Sequence, residues 1–424
     1  MKTKSLLFSS VCLLLAVCMM FTAVGCDSSV SAAAVDLMDG VTAEKVKGNP
    51  IDDKFIAAET DFALGLFQNA YKETDGQNLL MSPVSVSVAL SMAANGADGD
   101  TLKELENFLG RGIELQDLNK YYKTYLTTLP NSEKANLSMA NSIWFKDSKR
   151  FEVNNSFLQT NANWYNADVF KAPFNKSTVT DINNWVKDNT DGRIDKMVDS
   201  IGDRTLMYLL NAVSFTGEWA VKYTDSAVSK GTFTTSDRKF QTAEYMFSKE
   251  SLYLDDGKAT GFIKHYSGDR YAFAALLPNN GTSLKDYVNG LTAERLNKTL
   301  QEKDASVEVN AYIPKFSYSF ELTLNDQLKK NIPLGFDEDK ANFKRMGKAD
   351  GNIFISDVLH KTAITVDEAG TVASASTKVE MADKMSAAPH SPKTVKLDRP
   401  FLYMIIDTAR NIPIFIGALE SVEG

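Results

Sequence analysis

The feature that most restricts the fold of this chain is a long stretch near its C-terminus, from Gly370 to Leu397, that has no apolar period. A readable strand precedes it, from Ile353 to Val366, and two apolar strands follow it after Pro400. Loops this long inside a compact domain are uncommon and are usually either functional or disordered. The sequence leaves two interpretations open: a linker to the last hairpin, or a loop that is able to enter a sheet. The second is favoured by alternate small, uncharged side chains at its start, which are Thr371, Ala373, Ala375 and Thr377.

Composition sets the size of the core and excludes some partners. The chain has 424 residues, of which 44% are hydrophobic, so it is able to bury a large core. Lys and Arg total 46 against 54 Asp and Glu, which gives a formal net charge of -8. This balance does not support a broad basic surface for nucleic acid. No His-Glu-x-x-His pattern and no Gly-rich phosphate loop occur, so we expect neither a metal nor a cofactor.

The N-terminus has the pattern of an export signal. Lys2 and Lys4 precede an apolar run from Leu6 to Val24. The run ends at Gly25-Cys26, which resembles the bacterial lipobox, although Ala23 stands where that pattern prefers Leu. We therefore expect a lipoprotein signal peptide at 1–25, lipidation of Cys26, a flexible tether at 26–51 and one domain at 52–424. An uncleaved membrane anchor is the alternative.

The three cysteines, Cys12, Cys18 and Cys26, all lie in or at the end of this N-terminal segment. The mature body is therefore predicted to have no internal disulfide, no thiol nucleophile and no cysteine-based metal site. We expect its stability to come from packing.

The body reads as helices first and strands later, as expected for one α+β domain. Apolar residues recur at helical spacing from Asp53 to Ala70, and Ser82-Pro83 is typical of a capped helix start. The segment 182–198 predicts a further helix, which Gly192 is expected to close. The run from Thr205 to Phe215 is apolar almost throughout, which predicts a strand buried on both faces.

Three motifs resemble signatures of the serpins, the serine protease inhibitors that trap proteases by inserting a cleaved reactive loop into a central sheet. The resemblance is colinear from about Asp52 to Leu419. It implies an α+β serpin fold: a single domain with a large central β-sheet, further β-sheets, about eight to nine helices and an exposed reactive-centre loop at about 368–397. The motifs are Asn78-x-x-x-Ser82-Pro83-x-Ser85, Asn211 to Trp219, and Ser356 to Thr362 followed by Val366 to Thr371.

A hydrolase is the alternative from another functional class. A Ser-His-Asp arrangement needs a histidine base, and the only histidines are His265, His360 and His390. No Gly-x-Ser-x-Gly elbow occurs, and His360 lies inside one of the serpin-like motifs. We therefore expect no catalytic residues and a protein that is not an enzyme.

The serpin resemblance also implies roles for individual residues. Glu368 and Gly370 match the hinge of the loop, and the small row that begins at Thr371 is expected to become buried when the loop inserts. Trp219 matches the breach region of the sheet. A buried polar cluster is expected to hold the central sheet closed where its strands must part; its members are Ser82, Ser85, Asn211 and His360. The alternatives are purely structural roles: a helix cap for Ser82, a hydrogen-bonded buried amide for Asn211 and a single core histidine for His360.

The length of a typical serpin loop places the reactive bond between Lys384 and Met385, with the bond between Met385 and Ser386 as the alternative and Met381 as a third position. Cleavage after Lys384 implies a trypsin-like target, and cleavage after Met385 implies an elastase-like or chymotrypsin-like one. The expected protein is a monomeric suicide-substrate inhibitor of a serine protease. It is exported and held on a bacterial membrane by its lipid, or released. A non-inhibitory serpin acting as a surface binding protein is the alternative function.

Overall fold

The computed structural model describes residues 34–129, 131–147, 151–202, 205–349, 351–371 and 391–423. Nine α-helices and two short 3-10 turns, Asp225–Ala227 and Pro333–Phe336, lie within these residues. The helices are α1 Asp53–Tyr71, α2 Pro83–Ala94, α3 Gly99–Gly110, α4 Leu115–Thr128, α5 Asn155–Tyr165, α6 Lys176–Asn189, α7 Leu284–Gly290, α8 Ala293–Gln301 and α9 Asn325–Lys329.

Nineteen strands make up the remaining regular structure of the described residues. They are β1 Val35–Asp36, β2 Leu79–Met81, β3 Ala135–Lys146, β4 Glu152–Val153, β5 Asp168–Ala172, β6 Met207–Glu218, β7 Val228–Thr234, β8 Phe240–Glu250, β9 Tyr253–Asp255, β10 Ala259–His265, β11 Tyr271–Pro278, β12 Val309–Pro314, β13 Phe316–Thr323, β14 Gly347–Lys348, β15 Asp357–Val366, β16 Gly370–Thr371, β17 Lys393–Lys396, β18 Phe401–Asp407 and β19 Ile412–Leu419.

The strands form one large sheet and three smaller ones. The central sheet has seven strands in the order β1-β5-β3-β6-β16-β15-β13. A six-stranded sheet has the order β2-β19-β18-β11-β10-β9, and a four-stranded sheet the order β17-β12-β8-β7. Strands β14 and β4 form a separate pair. The predicted α+β architecture with a large central sheet is thus confirmed.

Strand β6 runs through the middle of the central sheet and is covered on both faces. Leu209 and Val213 belong to the large apolar cluster on the face that carries α2. Tyr208 and Leu210 belong to a second apolar cluster on the opposite face, together with Ile182 of α6. This double burial explains why the sequence is apolar almost throughout this segment, and it confirms the predicted strand.

Helix α2 lies beneath the central sheet, and all of its residues are buried. It contacts β3 and β6 on one side and β19 of the six-stranded sheet on the other. Pro83 stands at its first position, as predicted. Ser82 stands at the N-cap position, as predicted, but its side chain makes no capping hydrogen bond.

The segment 34–51 differs from the flexible tether expected over 26–51. Its strand β1 pairs with β5 at the edge of the central sheet. The amide of Ala34 donates to Asp181 Oδ2 at 3.1 Å, and the amide of Glu44 donates to Asn163 Oδ1 at 2.8 Å. Leu37 also packs against the main apolar cluster. Unpaired backbone at a sheet edge accepts another strand, so this segment lies along the body.

Two element boundaries also differ from the sequence prediction. Helix α6 begins at Lys176 instead of residue 182, because the Asn175 side chain accepts the amides of Ser177 and Thr178 in a capping box. It ends at Asn189, before Gly192. The predicted strand from residue 353 begins only at Asp357, so β15 is shorter than expected.

Candidate functional site

The candidate site is the middle of the central sheet, where β6 and β15 are paired at one end and separated at the other. They pair in parallel from Tyr208–Val213 of β6 to Asp357–Thr362 of β15. Beyond these pairs β16 lies between them, with Thr371 opposite Gly217 on one side and Val366 on the other. The sheet is therefore open at this end and holds the first residues of the long loop.

The closed part of the sheet contains the polar cluster predicted from the sequence. The backbone amide of Ser82 donates to His360 Nε2 at 3.0 Å, so Nδ1 carries the ring proton and donates to Asn211 Oδ1. Asn211 Nδ2 in turn donates to Ser85 Oγ and to Asn141 Oδ1. Asn211 and His360 are directly opposite each other on β6 and β15. The cluster therefore joins the two strands to each other and to α2.

The charge state of this cluster is fixed by its burial. His360 is fully buried, and burial lowers its pKa to about 3, because the interior does not stabilise the charged ring. The imidazole is therefore neutral at physiological pH, and its two nitrogens act as one donor and one acceptor. The Ser82 hydroxyl is buried and has no hydrogen-bond partner among the described residues. Ser82 thus enters the cluster through its backbone and not through its side chain.

The hinge of the loop is held by a turn at one end of β15. Asp367 Oδ1 accepts the amides of Ala369 and Gly370 at 2.8 and 3.1 Å. Gly370 has a φ of 156°, and a Cβ on it would lie 1.9 Å from the carbonyl oxygen of Gly217. Only glycine fits this close approach of two backbones. Glu368 Oε1 pairs with Lys315 Nζ at 2.6 Å, and Lys315 also reaches Glu244 at 2.8 Å.

Trp219, expected in the breach region, holds the same turn from the side of β6. Its indole nitrogen donates to the carbonyl of Asp367 at 2.8 Å, and its backbone amide donates to the carbonyl of Ala369 at 3.0 Å. Its ring stacks on Tyr266, with centroids 4.5 Å apart and planes 7° from parallel. The tryptophan therefore fixes the position of the hinge backbone relative to β6.

Thr371 is already buried in the intact chain, with 1% of its surface exposed. Its hydroxyl lies 2.6 Å from the Tyr266 hydroxyl. The sequence led us to expect burial of Thr371 only when the loop inserts, so the structure differs on this point. The physical reason is that the separated ends of β6 and β15 leave backbone groups that β16 satisfies.

Sequence reasoning did not find several residues of this region. Asn141 of β3 lies opposite Asn211, and the signal that identifies it is the pairing of two predicted strands. Tyr266 and Lys315 carry no local sequence signal, because they reach the hinge only through the tertiary fold.

Several predicted site residues lie outside the described residues. The first group is the rest of the small row and the reactive bond, which are Ala373, Ala375, Thr377, Lys384, Met385 and Ser386. The second is Cys26, the predicted lipidation site. In the part of the chain that the structure describes, no group of three or more His, Cys, Asp or Glu side chains is arranged to hold a metal ion. None of the helices described has the length and apolar character that a membrane crossing requires.

Comparison with known proteins identifies the fold and the family. Residues 57–422 match the model of the family Serpin (serine protease inhibitor). The chain is similar to human leukocyte elastase inhibitor, with 28% identity over 87% of this chain and 100% of that protein. It is also similar to the crystal structure of the thermophilic serpin tengpin in its native state, with 44% identity, a TM-score of 0.87 and coverage of 92% of this chain and 99% of that one.

The comparison also bears on the conformation of the molecule. For tengpin in its latent state the identity is 42%, the TM-score 0.78 and the coverage 89% of this chain and 100% of that one. The present structure is thus more similar to the native state of that serpin than to its latent state. From the family match over almost the whole described body, we conclude that this chain belongs to the serpin family.

Proposed function

We propose that this protein is a suicide-substrate inhibitor of a serine protease, which it traps by inserting its cleaved reactive loop into the central sheet. The observation that carries the proposal is the position of Thr371, paired with β6 on one side and β15 on the other. The first residues of the loop already have the direction and register of an added central strand. Insertion would then extend β16 and separate the paired part of β6 and β15.

The register of β16 predicts which residues of β6 and β15 each later residue of the loop would lie opposite after insertion. Because Thr371 is opposite Gly217 and Val366, and β16 is antiparallel to both neighbours, a continued strand brings Ala375 opposite Val213 and Thr362. It then brings Thr377 between Asn211 and His360, the pair that closes the sheet. Insertion beyond Ala375 must therefore break the side-chain hydrogen bond between these two residues.

Energetic terms support such an exchange. Insertion gives up the direct β6–β15 pairing but pairs the new strand on both sides, and each backbone hydrogen bond contributes about 0.5–1.5 kcal/mol net. A strand from Thr371 to Lys384 spans about 46 Å at about 3.3 Å per residue, so an acylated protease would be carried across the body. The inward row of the loop is small and uncharged, which avoids burial of unpaired charge.

The target class is proposed from the expected reactive bond. Cleavage between Lys384 and Met385 would suit a trypsin-like protease, and cleavage between Met385 and Ser386 an elastase-like or chymotrypsin-like one. The name of the human relative, leukocyte elastase inhibitor, supports testing the second class alongside the first.

We also propose that the protein is exported and anchored to a bacterial membrane by a lipid on Cys26, and that it acts as a monomer. The basis is the order of Lys2, Lys4, the apolar run and Gly25-Cys26. Mass spectrometry of the native protein tests this. We expect a lipid-modified Cys26 as the first residue, whereas an unmodified cysteine or a different start would refute the anchor.

Incubation of the protein with a panel of trypsin-like and elastase-like serine proteases tests the inhibitory function. We expect an SDS-stable complex with at least one of them and release of a C-terminal peptide that begins at Met385 or Ser386. Clean hydrolysis without a complex for every member of the panel would instead support a non-inhibitory serpin that acts as a surface binding protein.

A further inference from the structure

Lys264 on β10 is a buried lysine next to the hinge. It is 2% exposed. Its Nζ lies 2.9 Å from Glu250 Oε1, and Glu250 also accepts a hydrogen bond from Ser248 Oγ at 2.6 Å. A buried charge requires a partner of this kind because it has lost its hydration.

The ammonium group of Lys264 also faces two aromatic rings. Nζ lies 4.5 Å from the ring centroid of Tyr223 and 5.5 Å from that of Trp219. A cation at this distance is attracted to the face of an aromatic ring, and more strongly in a desolvated site than at the surface. The Tyr223 hydroxyl is linked to the same ion pair, because it lies 3.1 Å from Ser248 Oγ.

Both of these aromatic residues hold the hinge. Tyr223 donates its backbone amide to the carbonyl of Glu368 at 3.1 Å. Trp219 contacts the carbonyls of Asp367 and Ala369, as described above. The Lys264–Glu250 pair therefore contacts the residues that bind three successive carbonyl groups of the hinge, those of 367–369.

We infer that Lys264 is a positioning residue for the loop: by holding the rings of Trp219 and Tyr223, it keeps the hinge in the register from which insertion starts. Its effect on protease trapping rests on the proposed function, but its effect on the hinge does not. A buried ion pair is a poor source of stability, since apolar replacements are often neutral or stabilising. A positioning role explains why this ion pair lies against both of the rings that bind the hinge.

Hydrogen–deuterium exchange of the intact protein, without any protease, tests the inference. The double variant Lys264→Met/Glu250→Gln removes the cation and leaves no unpaired buried charge. A matched control is Arg410→Met/Asp407→Asn, because Arg410 pairs with the buried Asp407 at 2.9 Å and faces, at 5.5 Å, the ring of Tyr125 in α4 instead of a ring that binds the hinge. Lys264→Gln/Glu250→Gln is the second variant, for use if the first does not fold, because two neutral amides are able to keep a hydrogen bond between these positions.

We expect the backbone amides of Trp219 and Tyr223 to exchange about tenfold faster in the Lys264 variants, from the loss of two desolvated cation–ring contacts. The control variant should leave these two amides at the wild-type rate. Unchanged exchange in the Lys264 variants, or an equal increase in the control, would overturn the inference.

A trapping assay separates this inference from the proposed function. With a protease that the wild type traps, the Lys264 variants should consume several-fold more inhibitor per trapped protease, and the control should not. Wild-type protein that traps no protease would refute the proposed function, whereas the exchange result would still decide the role of Lys264.

Discussion

The hydroxyl groups of Tyr266 and Thr371 lie 2.6 Å apart, and both residues are buried. Burial raises the pKa of Tyr266, so its phenol is neutral and is able to donate or accept this hydrogen bond. The contact fixes the first residue of the inward row between β6 and β15 before any cleavage. The slot around Thr371 is therefore small, polar at one point and closed to water.

The substitution Thr371→Arg tests whether this slot is the start of insertion. A guanidinium group at this position would be buried beside the neutral Tyr266 phenol, so its burial costs several kcal/mol, and we expect the hinge to leave the sheet. Acylation should proceed at a similar rate, because the reactive bond is far along the loop. The variant should be cut at the same bond as the wild type but should release active protease.

Thr371→Val is the matched control for volume, since it keeps the shape of the side chain and loses the hydrogen bond to Tyr266. It should still trap protease, with a loss of stability of about 1–3 kcal/mol from the unpaired buried phenol. Gel assays of complex against cleaved inhibitor distinguish the two variants. Wild-type trapping by Thr371→Arg would contradict a role for this position in insertion.

His360 makes the free energy of unfolding depend on pH. Its pKa is about 3 in the folded protein against an ordinary value of 6.5, so between pH 6.5 and 3 the unfolded chain binds a proton that the folded chain does not. The contribution of His360 to the free energy of unfolding should therefore be full above pH 6.5 and fall as the pH drops, by at most about 5 kcal/mol. Denaturant titrations of the wild type and of His360→Gln from pH 7.5 to 4 measure this, and the stability difference between the two proteins should change with pH by the contribution of His360.

Glu59 in α1 should act in the opposite direction. It is fully buried and accepts hydrogen bonds from Tyr122 and Ser87, and burial raises its pKa to about 7. Its contribution to stability is full below pH 4.5 and is lost as the pH rises to 7, by about 3 kcal/mol. The variant Glu59→Gln should remove this loss, and an unchanged pH profile in that variant would contradict the assignment.

The sequence predicts much of the closed part of this site and only part of the open end. Ser85, Asn211 and His360 were placed together because each lies in a recognisable motif, and the structure brings them into one network. The early burial of Thr371 was not predicted, because it depends on how far β6 and β15 separate. No local pattern reports that distance.

The position of residues 34–51 was not predicted either. The segment is rich in small and polar residues, which is typical of a tether, and its binding depends on the free edge of β5.

The stability that residues 34–51 give to the body is tested by comparing the chain 34–424 with the chain 52–424. Loss of strand β1 and of the packed side chains of Leu37, Met38 and Val41 should lower the free energy of unfolding by several kcal/mol. Equal melting temperatures would show that the segment does not stabilise the body.

The most direct test of loop insertion is a comparison of the thermal melts of intact and cleaved wild-type protein. If the cleaved loop becomes a central strand, it gains backbone hydrogen bonds on both sides, and the cleaved protein should melt on the order of 10 °C or more above the intact form. The cleaved Thr371→Arg variant should gain much less. An intact and a cleaved wild type with the same melting temperature would contradict the proposed mechanism.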